Sequence, residues 1–197
     1  MQSGANLSLS VEYLMDCNVV NNGCAGGLLD DSWRFMATTG LPSESCVPYQ
    51  EEAGPLPTGP IPCYAVQRCL PGGPGPKNFS LHSAAGGAYP CGSFTGDAEG
   101  MQRDLMVNGP ISVAFQVFSD FHSYSSGVYK RTAAGQLDGG HAVKIVGWGT
   151  DVVAGAYWIV ANSWGPHWGT NGFFKIARGV NECGIEQTPA AGMVAPR

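Results

Sequence analysis

The 197-residue sequence has few charged side chains and no long apolar run. Lysine and arginine together number 10, they form no cluster, and the formal net charge is −5. Nucleic acid is not expected as a partner, because phosphate binding requires a concentrated basic surface. No apolar stretch approaches the roughly 20 residues of a membrane-spanning helix, and the first residues lack the basic and apolar regions of a signal peptide. We therefore expect neither a membrane span nor a secretory leader within this chain.

The sequence also lacks the residue spacings of a zinc site. Its seven cysteines include no Cys-x-x-Cys pair, no His-x-x-x-His accompanies them, and Cys63 and Cys69 lie six positions apart. We expect no metal and no cofactor. An odd number of cysteines leaves at least one thiol unpaired, and even four cysteines allow three disulfide connectivities, so spacing alone leaves the pairing open.

Glycine and proline are frequent, at 29 and 14 residues, and many of them fall in the segments AGPLPTGPIP and LPGGPGPKN. Such segments are incompatible with helix or central strand, so residues 50–95 are predicted to form a long loop region. The 44% apolar content is enough for the core of one compact domain or of two tightly packed halves.

The apolar periodicity changes along the chain from helical to strand-like. Helical spacing follows Ser10, a suitable N-cap, recurs from Leu29 to Ala37, and is predicted again from Asp97 to Val107. Period-two alternation then begins at Ile111, and further strands are predicted at Val143–Trp148, Tyr157–Ala161 and Phe173–Ala177. The predicted fold class is α+β, with a mainly helical half over residues 1–93, a β-rich half over residues 94–190 and a tail over residues 191–197.

Two polar residues occupy the ends of predicted strands. His141 opens the segment HAVKIVGWG and Asn162 closes the segment AYWIVANSW. A rigid sheet can present both side chains from neighbouring strand ends. Thiol-dependent hydrolysis needs a thiolate beside an imidazole and a third polar group that orients the ring, and these two residues suit the last two roles.

Other interpretations of these residue types are simpler for most positions. His82 in a Ser/Ala/Gly loop, His122 after an apolar strand and His167 in a Pro/Trp loop are expected to be solvated or packing side chains. Asn162 alone could be a turn residue that bonds its own backbone. Trp164 and Trp168 follow it in a longer run, and the family resemblance of that run favours the catalytic interpretation.

The run NSWGPHWGTNGFFKI resembles the NSWG-x-x-WG-x-x-G-[YF] signature of papain-family cysteine peptidases. Five further segments resemble the cathepsin B group: LSVEYLMDCN, GCAGGLLDDSWRF, CVPYQ, NGPISVAFQVFSDFHSYSSGVYK and GVNECGIE. The resemblance implies a papain-like fold with a helical left half, an antiparallel β-barrel-like right half and substrate between them. It makes His141 and Asn162 catalytic, and makes Trp164 a cover for their hydrogen bond.

The nucleophilic cysteine and the oxyanion-hole glutamine of the family have no counterpart here. The papain-like fold is therefore expected to be incomplete at the amino terminus, and the chain alone is expected to be inactive. Loss of a triad member costs on the order of 10³–10⁶ in turnover. The alternative is a truncated, non-catalytic homologue that acts as a binding or decoy protein.

The resemblance also assigns substrate-binding positions. Gly26 and Gly27 would allow a peptide backbone to approach closely. A small-walled, apolar S2 pocket is implied at four further positions: Leu29, Ala114, Ala142 and Thr188. Glu51 and Glu52 stand about where the cathepsin B group has the histidine pair that binds a C-terminal carboxylate, which predicts an endopeptidase without carboxydipeptidase activity.

The same resemblance implies the disulfide pairing, the binding partners and the cellular compartment. It pairs Cys17 with Cys63 and Cys46 with Cys69, and it leaves Cys24 without its partner. Peptide or protein substrates and cystatin-type inhibitors are the implied partners. The implied compartment is a lysosome-like vesicle or the exterior of the cell, where disulfides persist.

Overall fold

The computed structural model describes residues 8–49, 84–90 and 97–194. The chain divides into two compact units, residues 1–88 with 192–197 and residues 89–191. Within the described part of the chain, no helix is both long and apolar enough to cross a membrane.

The first unit contains two helices, α1 (Val11–Cys17) and α2 (Leu29–Thr38), with a 3₁₀ turn at Gly23–Ala25 between them. The predicted N-cap of α1 is confirmed, because the Ser10 hydroxyl accepts the Tyr13 N–H at 3.0 Å and donates to the Val47 carbonyl at 2.7 Å. These two bonds fix both the start of α1 and the loop that follows α2.

The strand β1, Ala84–Pro90, lies inside the stretch that the sequence predicts as loop. The prediction is wrong for these residues. The segment AAGGAYP has low intrinsic strand propensity, but β1 neighbours β7 in the sheet, so backbone pairing rather than side-chain preference sets its conformation. The rest of the predicted loop, residues 50–83 and 91–95, lies outside the described residues.

The second unit opens with helix α3 (Ala98–Asn108), whose N-cap Asp97 accepts the Gly100 N–H at 2.8 Å. The strands that follow are β2 (Ile111–Phe118), β3 (Val128–Tyr129), β4 (Leu137–Asp151), β5 (Gly155–Ala161), β6 (Phe173–Ala177) and β7 (Ala190–Val194). Two 3₁₀ turns, Ser119–Ser123 and Glu182–Gly184, connect them.

The strands of the sheet run in the order β1, β7, β2, β4, β5, β6, β3. Neighbours from β7 to β6 are antiparallel, as predicted, whereas the two-residue strand β3 runs parallel to β6. Among the residues described, three α-helices and a mainly antiparallel sheet with one short parallel strand give the α+β fold class that the sequence predicts.

The core of the second unit follows from the alternation in β2. Ile111, Val113, Phe115 and Val117 are each at most 5% exposed, so one face of β2 lies wholly in the interior. Other fully buried members of this cluster come from α3, β5 and β6: Met101, Trp158, Val160, Phe174 and Ile176. The packed face makes the sheet a rigid support for side chains at its edges.

Strand β4 is longer than predicted, since it begins at Leu137 and not at Val143. Gly139 and Gly140 have low strand propensity, but they pair with Val117 and Gln116 on β2. Further along, the register between β4 and β5 shifts between Ile145 and Gly147, so that Val146 is an extra residue on β4. His141 pairs with Phe115 on β2 and therefore lies within a paired strand.

Candidate active site

His141 and Asn162 come together at one end of the sheet. His141 is paired with Phe115 of β2, and its ring lies 6.0 Å from the Phe115 ring, between centroids. Asn162 directly follows Ala161, the last residue of β5, and Ala161 pairs with Lys144 on β4. The imidazole Nε2 and the amide Oδ1 of Asn162 are 2.8 Å apart, which is hydrogen-bond distance.

The hydrogen bonds decide which imidazole nitrogen carries the proton. Asn162 Oδ1 also accepts the backbone N–H of Ser163 at 2.8 Å, so this atom is the amide oxygen, because an NH₂ group has no acceptor capacity. An oxygen without a proton requires a donor opposite it. The His141 Nε2 therefore carries the hydrogen, and in the neutral ring Nδ1 holds the free lone pair.

The loop after β5 holds Asn162 in place. Its backbone N–H donates to the Gly172 carbonyl at 2.9 Å. Gly172 has a φ of +84°, a region that favours glycine. The Asn162 Nδ2 is buried and has no hydrogen-bond partner within the described residues, so only one side of this amide is used.

Trp164 packs against the imidazole. Its ring centroid lies 5.1 Å from that of His141 at an interplanar angle of 29°, and the indole is itself held edge-on by Trp168 at 5.0 Å and Phe121 at 5.5 Å. The indole covers one face of the imidazole from water. This position fits the cover that the resemblance implies.

A second histidine contacts the same indole. The His122 ring stacks on Trp164 at 5.1 Å and 5°, and its Nε2 lies 2.6 Å from Asp138 Oδ2. The sequence predicts a solvated or packing side chain for His122, and no motif signals this contact. His122 and Asp138 are separated by 16 positions, and only the pairing of β2 with β4 brings them together.

Three of the predicted S2 residues lie in the second unit. Ala114 and Ala142 are cross-strand partners on β2 and β4. Ser112, two residues before Ala114, pairs with Ala190 on β7. Thr188 is exposed and lies two residues before the start of β7.

The Glu186 side chain, two residues before Thr188 in the sequence, makes its hydrogen bonds inside the second unit. It is 1% exposed, and its carboxylate accepts the indole N–H of Trp158 at 2.8 Å and the backbone N–H groups of Gly179 at 2.6 Å and Asn181 at 2.8 Å. Each carboxylate oxygen is therefore engaged inside the unit. Glu186 is therefore not available to a substrate, whereas Thr188 is exposed.

The predicted glycine pair and Leu29 belong to the first unit. Gly26 is exposed with a φ of +97°. A Cβ on Gly27 would collide with the side chain of Asn21, which accepts the Leu28 N–H at 2.9 Å. Gly27 is thus required by local packing, independently of any peptide. Leu29 is partly buried as the first residue of α2.

The described cysteines differ in state. Cys24 and Cys183 are free thiols, whereas Cys17 and Cys46 are disulfide-bonded. Their predicted partners, Cys63 and Cys69, lie outside the described residues, so the pairing stays a prediction. Among the residues that the structure describes, no cluster of ligating side chains suits a metal ion.

Burial raises the pKa of the Cys183 thiol to about 12, and the neighbouring Glu182 carboxylate adds to the shift. At pH 8 roughly one such thiol in 10⁴ is ionised, and the thiolate is the reactive form. We therefore expect iodoacetamide to alkylate the exposed Cys24 at least about 100-fold faster than Cys183. Peptide mapping by mass spectrometry gives both rates.

The sequence assigns no cysteine to the nucleophile position, so neither rate should change in His141→Ala. Rapid alkylation of Cys183, or a cysteine whose labelling disappears with the imidazole, would contradict the expectation.

Comparison with known proteins places these features in context. The model of the family described as papain family cysteine protease matches residues 1–193. Cathepsin B-like CP2 of Giardia intestinalis is 39% identical over 93% of this chain and 57% of its own length. Cathepsin B-like protease 1 of Arabidopsis thaliana is 37% identical over 95% of this chain and 50% of its own length.

A solved structure of a similar protein has a similar fold. The proCathepsin B S9 of Trypanosoma congolense superposes with a TM-score of 0.78 and 32% identity over 96% of this chain and 61% of that one. The chain spans between one half and about three fifths of the length of these relatives.

Proposed function

Because the chain belongs to the papain family of cysteine proteases, we propose that it supplies the histidine and asparagine of a cathepsin B-like endopeptidase site. The hydrogen bond from His141 Nε2 to Asn162 Oδ1 carries this proposal. It holds the proton on Nε2 and leaves Nδ1 free as a base. A decoy protein without chemistry has no use for a fixed tautomer, so the geometry favours the peptidase over the binding protein.

Each half of the reaction uses the Nδ1 lone pair. Nδ1 takes the proton of a cysteine thiol, the thiolate sulfur bonds to the scissile carbonyl carbon, and the resulting imidazolium donates that proton to the departing amine nitrogen as the C–N bond breaks. Water, deprotonated by the same nitrogen, then displaces the sulfur. Asn162 stabilises the imidazolium in both halves because its oxygen accepts the Nε2 hydrogen. We assign none of the seven cysteines of this chain to that thiol.

Peptides or proteins are the proposed substrates, with cystatin-type inhibitors as further partners. A lysosome-like vesicle or the exterior of the cell is the proposed compartment, and the disulfide form of Cys17 and Cys46 supports an oxidising one. Endopeptidase action rests on Glu51 and Glu52, which lie outside the described residues.

Hydrolysis of matched reporter peptides tests the function and its specificity together. The protein needed is an extended form, which carries a papain-type cysteine segment before Met1. We expect it to cleave a Phe-Arg reporter well and an Arg-Arg reporter poorly. Thr188 cannot neutralise a guanidinium beside Ala114 and Ala142, whereas burial of an apolar P2 side chain is favourable by roughly 1.5–3 kcal/mol.

The variant Thr188→Glu serves as the matched comparison, because it adds a carboxylate at the S2 position that the resemblance implies and should raise hydrolysis of the Arg-Arg reporter alone. Failure of the extended form to cleave either peptide contradicts the peptidase proposal. Equal cleavage of both peptides by the unmodified extended form contradicts only the assignment of the pocket.

A further inference from the structure

The indole of Trp164 lies against two imidazoles, and only one of them belongs to the proposed catalytic pair. His122 stacks on Trp164 with nearly parallel rings, at 5°, and His141 stacks on it at 29°, with 5.1 Å between centroids in both cases. The catalytic mechanism uses His141 and leaves His122 without a role.

The His122 ring is tied at its far end. Its Nε2 lies 2.6 Å from Asp138 Oδ2, and an ionised carboxylate only accepts hydrogen bonds, so the imidazole Nε2–H donates. Both side chains are about half exposed, at 52% and 58%. Asp138 lies on β4, three positions before His141, so one strand carries both the tether and the catalytic imidazole.

The backbone of the turn that carries His122 is also fixed. The Trp168 indole N–H donates to the His122 carbonyl at 3.0 Å. The preceding residue, Phe121, is fully buried. One position earlier, the Asp120 carboxylate accepts the Tyr129 hydroxyl at 2.9 Å and the Thr132 N–H at 2.8 Å.

The pKa shifts of Asp120 and Tyr129 are consistent with these hydrogen bonds. Burial acts to raise the pKa of Asp120, but the hydrogen bonds from Thr132 and Tyr129 outweigh it and lower the pKa. Burial and the bond to Asp120 raise the pKa of Tyr129. The turn is thus held on both sides of His122, and the ring has little freedom to leave the indole.

We propose that His122 is a positioning residue for His141 and acts through Trp164. The tethered His122 ring fixes the plane of the indole, and the indole in turn fixes the imidazole of His141 against its hydrogen bond to Asn162. A proton-transfer group must stay within hydrogen-bond reach of its target, so a ring that tilts loses productive geometry. The consequence for catalysis rests on the proposed function, whereas the packing effect on His141 does not.

The test uses the 197-residue chain itself and needs no nucleophile. NMR of ¹⁵N-histidine-labelled protein reports the tautomer of His141 and the rate at which its Nε2 hydrogen exchanges with water. His122→Ala should accelerate this exchange by between about twofold and tenfold, the range that loss of one aromatic contact implies. His122→Phe keeps a ring on the indole but loses the bond to Asp138, and should give a rate between those of His122→Ala and the unmodified chain.

Two further variants separate positioning from general destabilisation. Asp138→Asn leaves the His122 ring but weakens its tether, and should give an intermediate rate. His167→Ala removes an exposed histidine from the loop that carries Trp164 and should change nothing. If His122→Ala fails to fold, as judged by its thermal melt, the comparison of His122→Phe and Asp138→Asn with the unmodified chain decides the same point.

The inference would be overturned if the exchange rate and the ¹⁵N chemical shifts of the His141 ring stayed unchanged in His122→Ala, or if His122→Phe exchanged as fast as His122→Ala. In the extended form the same alanine change should lower kcat by a similar factor and leave KM unchanged. A lack of hydrolysis in that form would count against the proposed function alone, because the NMR result is obtained without it.

Discussion

His141→Ala in the extended form should reduce peptide hydrolysis by a factor on the order of 10³–10⁶, the largest effect expected for any substitution in this chain. The imidazole is the only group assigned to both proton transfers, and Asn162 cannot replace it because a neutral amide is too weak a base to take the proton of a thiol. Turnover of the Phe-Arg reporter under saturating conditions measures the loss.

Two further variants provide reference points for the effect of His141→Ala. Asn162→Ala leaves the base in place but frees its ring, and should cost about 10²-fold, the penalty typical of a misplaced catalytic group. His167→Ala, at an exposed position of the same loop, should keep full turnover. Retention of activity in His141→Ala would mean that another residue serves as the base, and the proposed site would be wrong.

Glu186→Ala should lower the free energy of unfolding by about 2–4 kcal/mol. The change removes the acceptor of a fully buried indole N–H, that of Trp158, together with the acceptor of two backbone N–H groups in the segment that turns towards β7. Urea denaturation of the 197-residue chain, followed by tryptophan fluorescence, measures the difference.

The control for this variant is Glu99→Ala on α3, where the carboxylate is 84% exposed and lies 3.8 Å from the Arg103 guanidinium. A surface pair of this kind is worth at most about 1 kcal/mol, and usually less. An unchanged midpoint in Glu186→Ala would show that water replaces the lost acceptor, in spite of the 1% exposure of the side chain.

Local patterns predict most of the fold, because short-range physics decides those elements. Ser10 caps its helix as expected, and the strand Phe173–Ala177 has the predicted bounds. The failure at Ala84–Pro90 has a different origin, since pairing with a distant strand overrides the preferences of Ala and Gly. A pairing between strands that are distant in sequence produces no pattern within a short stretch of residues.

In the candidate site, too, local sequence patterns identify some residues and miss others. His141 and Asn162 each end or open an apolar segment and carry a recognisable motif, so the sequence singles them out. His122 lies in a 3₁₀ turn and its partner Asp138 lies 16 positions later on β4, so nothing in its local sequence distinguishes His122 from a solvated histidine. The contact depends on the register of β2 against β4, which only the folded chain defines.

The extra residue Val146 on β4 has consequences for how this protein can change over evolution. A bulge absorbs one extra residue and keeps the pairing on both sides of it, here Ile145 with Val160 and Gly147 with Ile159. Any further single-residue insertion or deletion in the paired part of the hairpin would need another bulge, because a register shift by one residue moves side chains to the opposite face. The hairpin tip differs, because Val152 and Val153 are almost fully exposed, and length variation among descendants of this sequence should collect there.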